Sequence, residues 1–360
     1  MKQKNYITAN KFYNKNVLYS KLAFEKDSML PHRYVLILTN KCNLACSFCF
    51  QERKTNPNRM NTDDWLNFLE QVPSNSRITL TGGEPLVYKE FDKIFKKANI
   101  ENETNIVSNG LLLTEKISSA LLSEKNFKVL GISIDEIGGA NRGFKTGQWD
   151  LLTNNILNFK KKRDRLNHDC AIDIKTVVLE ENIKDLSSMS KFVFENLKAD
   201  THSIQLLKGA EIQHSDLMFD YQKIHTKYKA YKYKNFNLLI DELEKIREYN
   251  LKNNKKAYLH PNVIPLNSEN KINYDQYSFL NNENHDSNNY DTCYSPWTSV
   301  HVNVDGNLFP CMAVSMGNVK KDTLKKIIFS DIFKKFKDEI RNNKTINGCN
   351  RCGWLKCKKF

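Results

Sequence analysis

No stretch of this chain is apolar enough and long enough to cross a bilayer, and its first 30 residues are basic and polar, without the apolar core of a secretion signal. The cytoplasm is therefore the expected location, and no membrane partner is expected. Histidine is sparse: 8 residues are scattered along the chain, and no nucleophile stands in a pattern with one, so nothing points to Ser–His or Cys–His catalysis. Acidic residues fall short of basic ones, 41 against 55, leaving a net charge of +14. Such an excess suits an anionic partner, whether a phosphorylated small molecule, an acidic peptide or a nucleic acid. The lysines are scattered, however, and no arginine-rich patch interleaved with aromatics is present, so nucleic acid is not the favoured partner.

An evenly spaced cysteine framework is missing too. The nine cysteines fall into two tight groups with Cys170 alone between them, a distribution that argues for metal ligation over disulfides. Cys170 opens an apolar run and reads as a small buried hydrophobe. The remaining composition, 40% hydrophobic and 27% charged over 360 residues, is that of a globular protein with one large domain and a smaller one.

The first group is the most informative feature. Cys42, Cys46 and Cys49 form a Cys-x3-Cys-x2-Cys triplet just after the buried-strand pattern Tyr34–Leu38. Three thiolates so close can hold three corners of an iron–sulfur cube and leave the fourth iron open to a small molecule. Zinc is the rival, but it usually takes four ligands, and the nearest histidine, His32, lies upstream of the strand. The spacing favours iron–sulfur.

From residue 34 to about 210, apolar strand patterns (34–39, 77–81, 104–108, 128–135, 170–179 and 203–208) alternate with amphipathic helix patterns (62–72, 88–99, 113–125, 148–166, 183–198 and, further on, 236–252). This alternation predicts an α/β fold: a partial (β/α)6 barrel of parallel strands, with too few units for a closed eight-fold barrel. Residues 254–292 are polar and Asn-rich, with Pro261 and Pro265, and read as a linker or substrate loop. Beyond them, the alternating run 297–304, the turn Asp305-Gly306 and the return Leu308–Cys311 predict a hairpin, and a helix is predicted over 322–343. The expected division is an N-terminal extension (1–33), a barrel (34–253), the linker (254–292) and a small hairpin-plus-helix metal-binding extension (293–360).

Four strand ends carry motifs. The triplet follows the first, with Phe48 just before its last cysteine. Thr81-Gly82-Gly83-Glu84-Pro85 ends the second, Ser108-Asn109-Gly110 the third, and Ser133-Ile134-Asp135 the fourth, with Arg142 shortly after. In this set the sequence resembles the radical S-adenosylmethionine (SAM) superfamily over residues 34–210, although Glu136 stands where glycine is frequent. The resemblance implies a [4Fe–4S] cluster with an open iron at Cys42, Cys46 and Cys49. It implies SAM held by Phe48, Gly82, Gly83, Glu84, Pro85, Ser108, Asn109, Ser133, Asp135 and Arg142. It implies reductive cleavage of SAM to a 5′-deoxyadenosyl radical that takes a hydrogen atom from the substrate. Glycines without Cβ would let the backbone approach the cofactor, Glu84 would face the methionine ammonium, and Arg142 its carboxylate. Taken singly, each polar residue reads equally as a turn or cap residue. Lys175 and Gln205, on later strands, are further candidates to face the cavity.

In the second group, Cys293 and Cys311 bracket the hairpin, Cys349 and Cys352 form a Cys-x2-Cys pair, and Cys357 follows. On spacing alone, zinc and iron–sulfur stay open here. The segment resembles the SPASM or shortened twitch extensions of radical SAM enzymes. A full SPASM domain has seven cysteines, and this segment offers five. The resemblance thus implies one auxiliary [4Fe–4S] cluster held by Cys293, Cys311, Cys349 and Cys352, with Cys357 a fifth candidate.

Many relatives with this extension modify peptides, so the leading expectation is oxidation or crosslinking of a peptide or protein side chain, with a flavodoxin or ferredoxin as reductant. Against it, many such relatives begin with a leader-binding domain, and only about thirty residues precede the first strand here. The alternative is a dehydrogenase, epimerase or isomerase acting on a sugar, aminoglycoside or nucleotide. A third reading is a non-catalytic zinc or iron–sulfur binding protein. The sequence names no substrate-side acid or base.

Overall fold

The computed structural model describes residues 2–51, 59–207, 209–260 and 264–358; Pro261 lies outside them. Eight strands run parallel and two more extend one edge antiparallel. The strands are β1 (Arg33–Ile37), β2 (Arg77–Thr81), β3 (Glu103–Ser108), β4 (Phe127–Ser133), β5 (Ala171–Val178), β6 (Thr201–Leu206), β7 (Ala257–His260), β8 (Ser299–Val302), β9 (Asn307–Phe309) and β10 (Gly317–Asn318). Their order is β10-β9-β8-β1-β2-β3-β4-β5-β6-β7, an open sheet. Up to residue 253 the α-helices are α1 (Lys2–Lys26), α2 (Thr62–Glu70), α3 (Phe91–Asn99), α4 (Glu115–Leu122), α5 (Gln148–Arg165), α6 (Leu186–Glu195) and α7 (Phe236–Asn253). The partial parallel barrel predicted from the alternation is therefore present, with all six predicted strands.

The alternation sorts each strand's residues by face. Tyr34, Leu36, Ile78, Leu80, Leu130, Ile172 and Ile174 are fully buried in one core with Trp65, Phe68, Ile94, Phe95, Ile156 and Phe159 of the covering helices. Each such side chain contributes about 1.5–3 kcal/mol. Cys170 lies in this core as expected, and burial pushes its thiol up. The opposite face is polar: Arg77, Thr79, Asn105, Asp173 and Ser203 are buried there, and Thr79 Oγ1 donates to Asn105 Oδ1 at 2.7 Å.

Three features differ from the sequence reading. First, the segment read as a linker supplies β7, which pairs parallel with β6. Second, β8 of the extension pairs parallel with β1, Arg33 opposite Ser299, so the extension continues the barrel sheet. Within that same extension the helix predicted over 322–343 is split into Leu324–Ile328 and Asp331–Asn343, because Ser330 caps the second piece through the Phe333 N–H. Third, α1 spans 25 residues of the basic N-terminal segment. Ala9 and Phe12 pack on Val129 and Ala171. Tyr13 donates to Asp173 Oδ2 at 2.8 Å, beside Lys175, which donates to the same oxygen at 2.7 Å. Asp27, just past the helix, accepts from Trp297 Nε1 (2.8 Å), Lys337 Nζ (2.9 Å) and Arg341 (3.1 Å). Helix α1 thus straps the polar face of β4 and β5 to the C-terminal extension.

Candidate cofactor and metal sites

The end of β1 and the end of β2 lie backbone to backbone. Leu38 N–H donates to the Thr81 carbonyl (2.9 Å), Gly83 N–H to Thr39 (2.6 Å) and Glu84 N–H to Lys41 (2.9 Å). A Cβ on Gly82 would stand 2.4 Å from the Thr39 oxygen, and one on Gly83 2.3 Å from the Lys41 oxygen. The space opened by the missing side chains is thus taken by the backbone that leads into the cysteine loop. The glycines set where that loop starts.

Glu84 is completely buried. Its Oε1 accepts from Leu86 N–H (3.1 Å) and Ser108 Oγ (2.9 Å), and its Oε2 from Asn109 N–H (2.8 Å). Burial pushes this carboxyl up to about 7, against the pull of those donors and of Arg142. Pro85 opens a short 3-10 turn, Pro85–Val87, that turns the chain away from the site. Asn109 reaches the cysteine loop itself: its Nδ2 donates to Asn43 Oδ1 at 2.7 Å and lies 3.8 Å from Cys42 Sγ. Asn43 carries no motif signal, and its role emerges only from this contact.

The fourth strand end reaches the same loop. Asp135 is buried; its Oδ1 accepts from Val177 N–H (2.7 Å), and its Oδ2 pairs with Arg142 at 2.7 Å. Burial raises the Asp135 carboxyl while Arg142 and the Val177 N–H pull it down. The Arg142 guanidinium lies 3.9 Å from Cys46 Sγ and over the Phe48 ring at 5.6 Å. Glu136, at the position where the resemblance departs, accepts the Asn141 N–H and so holds the loop that carries Arg142. Ser133 ends β4 half-buried, in register with Lys175. Lys175 itself is engaged by Asp173 and Tyr13.

The structure thus brings Cys42, Cys46, Cys49, Phe48, Glu84, Ser108, Asn109, Asp135 and Arg142 into one connected network. Among the described residues, no three His, Cys, Asp or Glu side chains meet at one mononuclear point, so fit to a cluster is judged on the donor set. Burial raises the Cys46 thiol, with Cys49, Asp135 and Cys42 adding to the rise and Arg142 opposing it. The Leu44 N–H donates to Cys42 Sγ at 3.4 Å. Neighbouring thiols that disfavour one another's ionisation, next to N–H donors and a guanidinium, suit a cationic iron–sulfur core that displaces their protons.

The second group is gathered as well. Burial pushes Cys293 up to about 12, with Cys352 adding to the rise. Cys311 rises further still, through burial and then Cys349, Cys352 and Cys293. Cys349 does so through burial, Cys293 and Cys352. These four thiols are mutual neighbours, and the Ile346 N–H donates to Cys349 Sγ at 3.4 Å. Cys357 lies at a bridge to Tyr290 and influences Tyr277 and Tyr290. The four suit a cluster; Cys357 stands to one side.

An open parallel barrel with a thiol triplet at the end of its first strand and a four-thiol group in the appended C-terminal extension defines a cluster-binding α/β protein. Residues 36–192 match the family model of the radical SAM superfamily, and residues 293–353 match the SPASM iron–sulfur cluster-binding domain. The chain carries a radical SAM domain and a SPASM extension; [4Fe–4S] clusters and SAM are the cofactors these domains imply. It is 34% identical over 130 residues to the sporulation killing factor maturation protein SkfB of Bacillus subtilis, covering 33% of this chain and 32% of that protein. It is 31% identical over 158 residues to the GTP 3′,8-cyclase of Clostridium perfringens, covering 41% and 47%. The chain therefore spans less than half the length of either relative. Streptococcus suis SuiB bound to its precursor peptide SuiA shares the fold: TM-score 0.63, 16% identity, 94% of this chain and 74% of that one. No described helix is long and apolar enough to cross a membrane.

Proposed function

We propose that the protein is a radical SAM enzyme acting on a peptide or protein side chain. In this proposal Cys42, Cys46 and Cys49 hold a cluster with an open iron, and Cys293, Cys311, Cys349 and Cys352 hold an auxiliary one. The observation that carries the proposal is the network joining the cysteine loop to the ends of β2, β3 and β4 through Glu84, Asn109, Asp135 and Arg142. With its cofactors bound, such a site generates a 5′-deoxyadenosyl radical that abstracts hydrogen from an unactivated carbon. This chain's residues would orient SAM: the carbonyls of 82–84 and the side chains of Ser108, Asn109, Ser133 and Asp135 line the sheet's carboxyl edge, and Arg142 balances charge at Cys46. The peptide substrate is supported by the SPASM extension, by the likeness to a maturation protein and by the fold shared with a precursor-peptide complex. The proposal includes a barrel (34–253), a substrate-facing segment (254–292) that adds β7 to the sheet, and the extension (293–360), with a flavodoxin or ferredoxin reductant and a cytoplasmic setting.

A nucleotide substrate is the second reading, favoured by the identity to the GTP cyclase and by the +14 charge. The test is anaerobic reconstitution with iron and sulfide, then dithionite and SAM. The expected product is 5′-deoxyadenosine, and its absence from cluster-loaded protein would refute the enzyme reading. Mass loss from a short precursor peptide encoded beside this gene supports the peptide substrate; consumption of a nucleoside triphosphate instead supports the second reading.

A further inference from the structure

Arg33, the first residue of β1, faces no carboxylate among the described residues. Its side chain reaches the polar face of the sheet, where one guanidinium nitrogen donates to Ser299 Oγ at 2.7 Å and the guanidinium lies over the Trp354 ring at 5.3 Å. Nε is buried and has no hydrogen-bond partner among the described residues. The adjacent residue across the strand pair is a second arginine, Arg77, itself under Phe12 and Tyr13 of α1. A guanidinium partly withdrawn from water beside a like charge is costly unless an anion faces it. Burial and Arg77 depress Arg33 to about 9, and the groups that oppose this are Tyr13 and Cys352. Trp354 is two residues past Cys352, and Ser299 starts the strand that follows Cys293. The anchors of Arg33 are thus the segments that carry the second thiol group.

We propose that Arg33 is the counter-charge of the auxiliary cluster and holds its reduction potential up; this rests on the assignment of Cys293, Cys311, Cys349 and Cys352 as that cluster's ligands. A cube held by four thiolates is an anion, and reduction adds a further negative charge. A fixed, half-buried guanidinium whose Nε is out of water stabilises the reduced form more than the oxidised one. Arg77 stands behind it and reinforces the same field.

The test is an EPR-monitored redox titration of the full chain in a Cys42→Ala, Cys46→Ala, Cys49→Ala background, where only the auxiliary centre reports. In that background, absence of auxiliary iron would refute the ligand assignment itself. With auxiliary iron present, Arg33→Gln should shift the midpoint potential to more negative values, and Arg33→Lys should stay near the parent. An unchanged potential in Arg33→Gln, or equal shifts in both variants, overturns the proposal. If Arg33→Gln does not retain its iron, Ser299→Ala, which releases the guanidinium from its anchor, is read in its place: a negative shift supports the proposal and no shift overturns it.

Discussion

The Glu84 carboxylate accepts the backbone N–H of Asn109 at 2.8 Å. Two motifs that look independent along the chain, one ending β2 and one ending β3, are therefore bonded to each other, and Asn109 carries the link on to Asn43 in the cysteine loop. Glu84 organises the site as much as it faces it. Removing a buried carboxylate that satisfies three donors costs about 1.5–3 kcal/mol per charged hydrogen bond at most, and less where water replaces it. Glu84→Ala should lower stability by about 2–4 kcal/mol and reduce iron retention at the first site, measured by urea denaturation and iron content. Wild-type iron content in this variant would contradict the organising role.

The same residue gives a pH signature. Burial raises the folded carboxyl to about 7 from an ordinary 4.5. A raised acid contributes stability that is fully present below pH 4.5 and is lost as pH rises through about 7. Its full size is about 3 kcal/mol at 1.36 kcal/mol per unit. Without SAM, wild type should therefore lose stability relative to Glu84→Gln between pH 4.5 and 7. A wild-type-minus-variant difference that stays flat across this window, in denaturation curves, would rule out the raised acid.

Gly83 makes a steric prediction. A methyl group there would meet the Lys41 carbonyl at 2.3 Å, and that oxygen belongs to backbone two bonds from the cysteine loop's hydrogen-bonded start. Gly83→Ala should displace the loop at a cost of about 1–3 kcal/mol and lower iron at the first site while leaving the auxiliary signal. Equal loss at both sites, read by Mössbauer or EPR, would mean global unfolding instead.

The strands and the helices that cover them were readable because buried parallel strands are short apolar runs, such as Tyr34–Leu38, and their helices repeat with the α-helical period. The cysteine groups were readable because thiols packed at x2 and x3 spacing have few other uses. Helix α1 was not, because its buried face is completed by polar contacts, Tyr13 to Asp173 and Arg77 over Phe12, whose partners lie far away in sequence. Strand β7 is four residues long inside an Asn-rich stretch. The hairpin of β8 and β9 announces itself through Asp305-Gly306, yet nothing local says that β8 pairs with β1. Likewise, each strand-end motif was legible alone, while Glu84–Asn109 and Asp135–Arg142 are tertiary facts.

Helix α1 should be separable from the barrel by one hydroxyl. Tyr13 donates to Asp173, which also accepts from Lys175, Thr201 and Ser203. Tyr13→Phe deletes one of these donors without changing ring packing, so it should cost about 1–2 kcal/mol and speed amide exchange in residues 5–15 without altering exchange in α5. Asp27→Ala removes the other anchor, to Trp297, Lys337 and Arg341, and should speed exchange at the opposite end of α1. Uniform exchange along α1 in both variants would show that the helix docks as one unit and not by two ends.

The two thiol groups should come apart cleanly. Cys46→Ala removes a proposed ligand of the first cluster and should abolish SAM cleavage while the auxiliary centre persists. Cys349→Ala should remove the auxiliary iron and leave some SAM cleavage, because Cys349 shares its electrostatic neighbourhood with Cys293 and Cys352, not with the triplet. Cys170→Ala serves as the control: that thiol is buried in the apolar core, so the change should cost about 1–2 kcal/mol and leave iron at both sites. Cys357→Ala tests the fifth candidate. It lies at the Tyr290 bridge apart from the four, so its loss should leave auxiliary iron intact; loss of that iron in Cys357→Ala with retention in Cys293→Ala would reassign the fourth ligand.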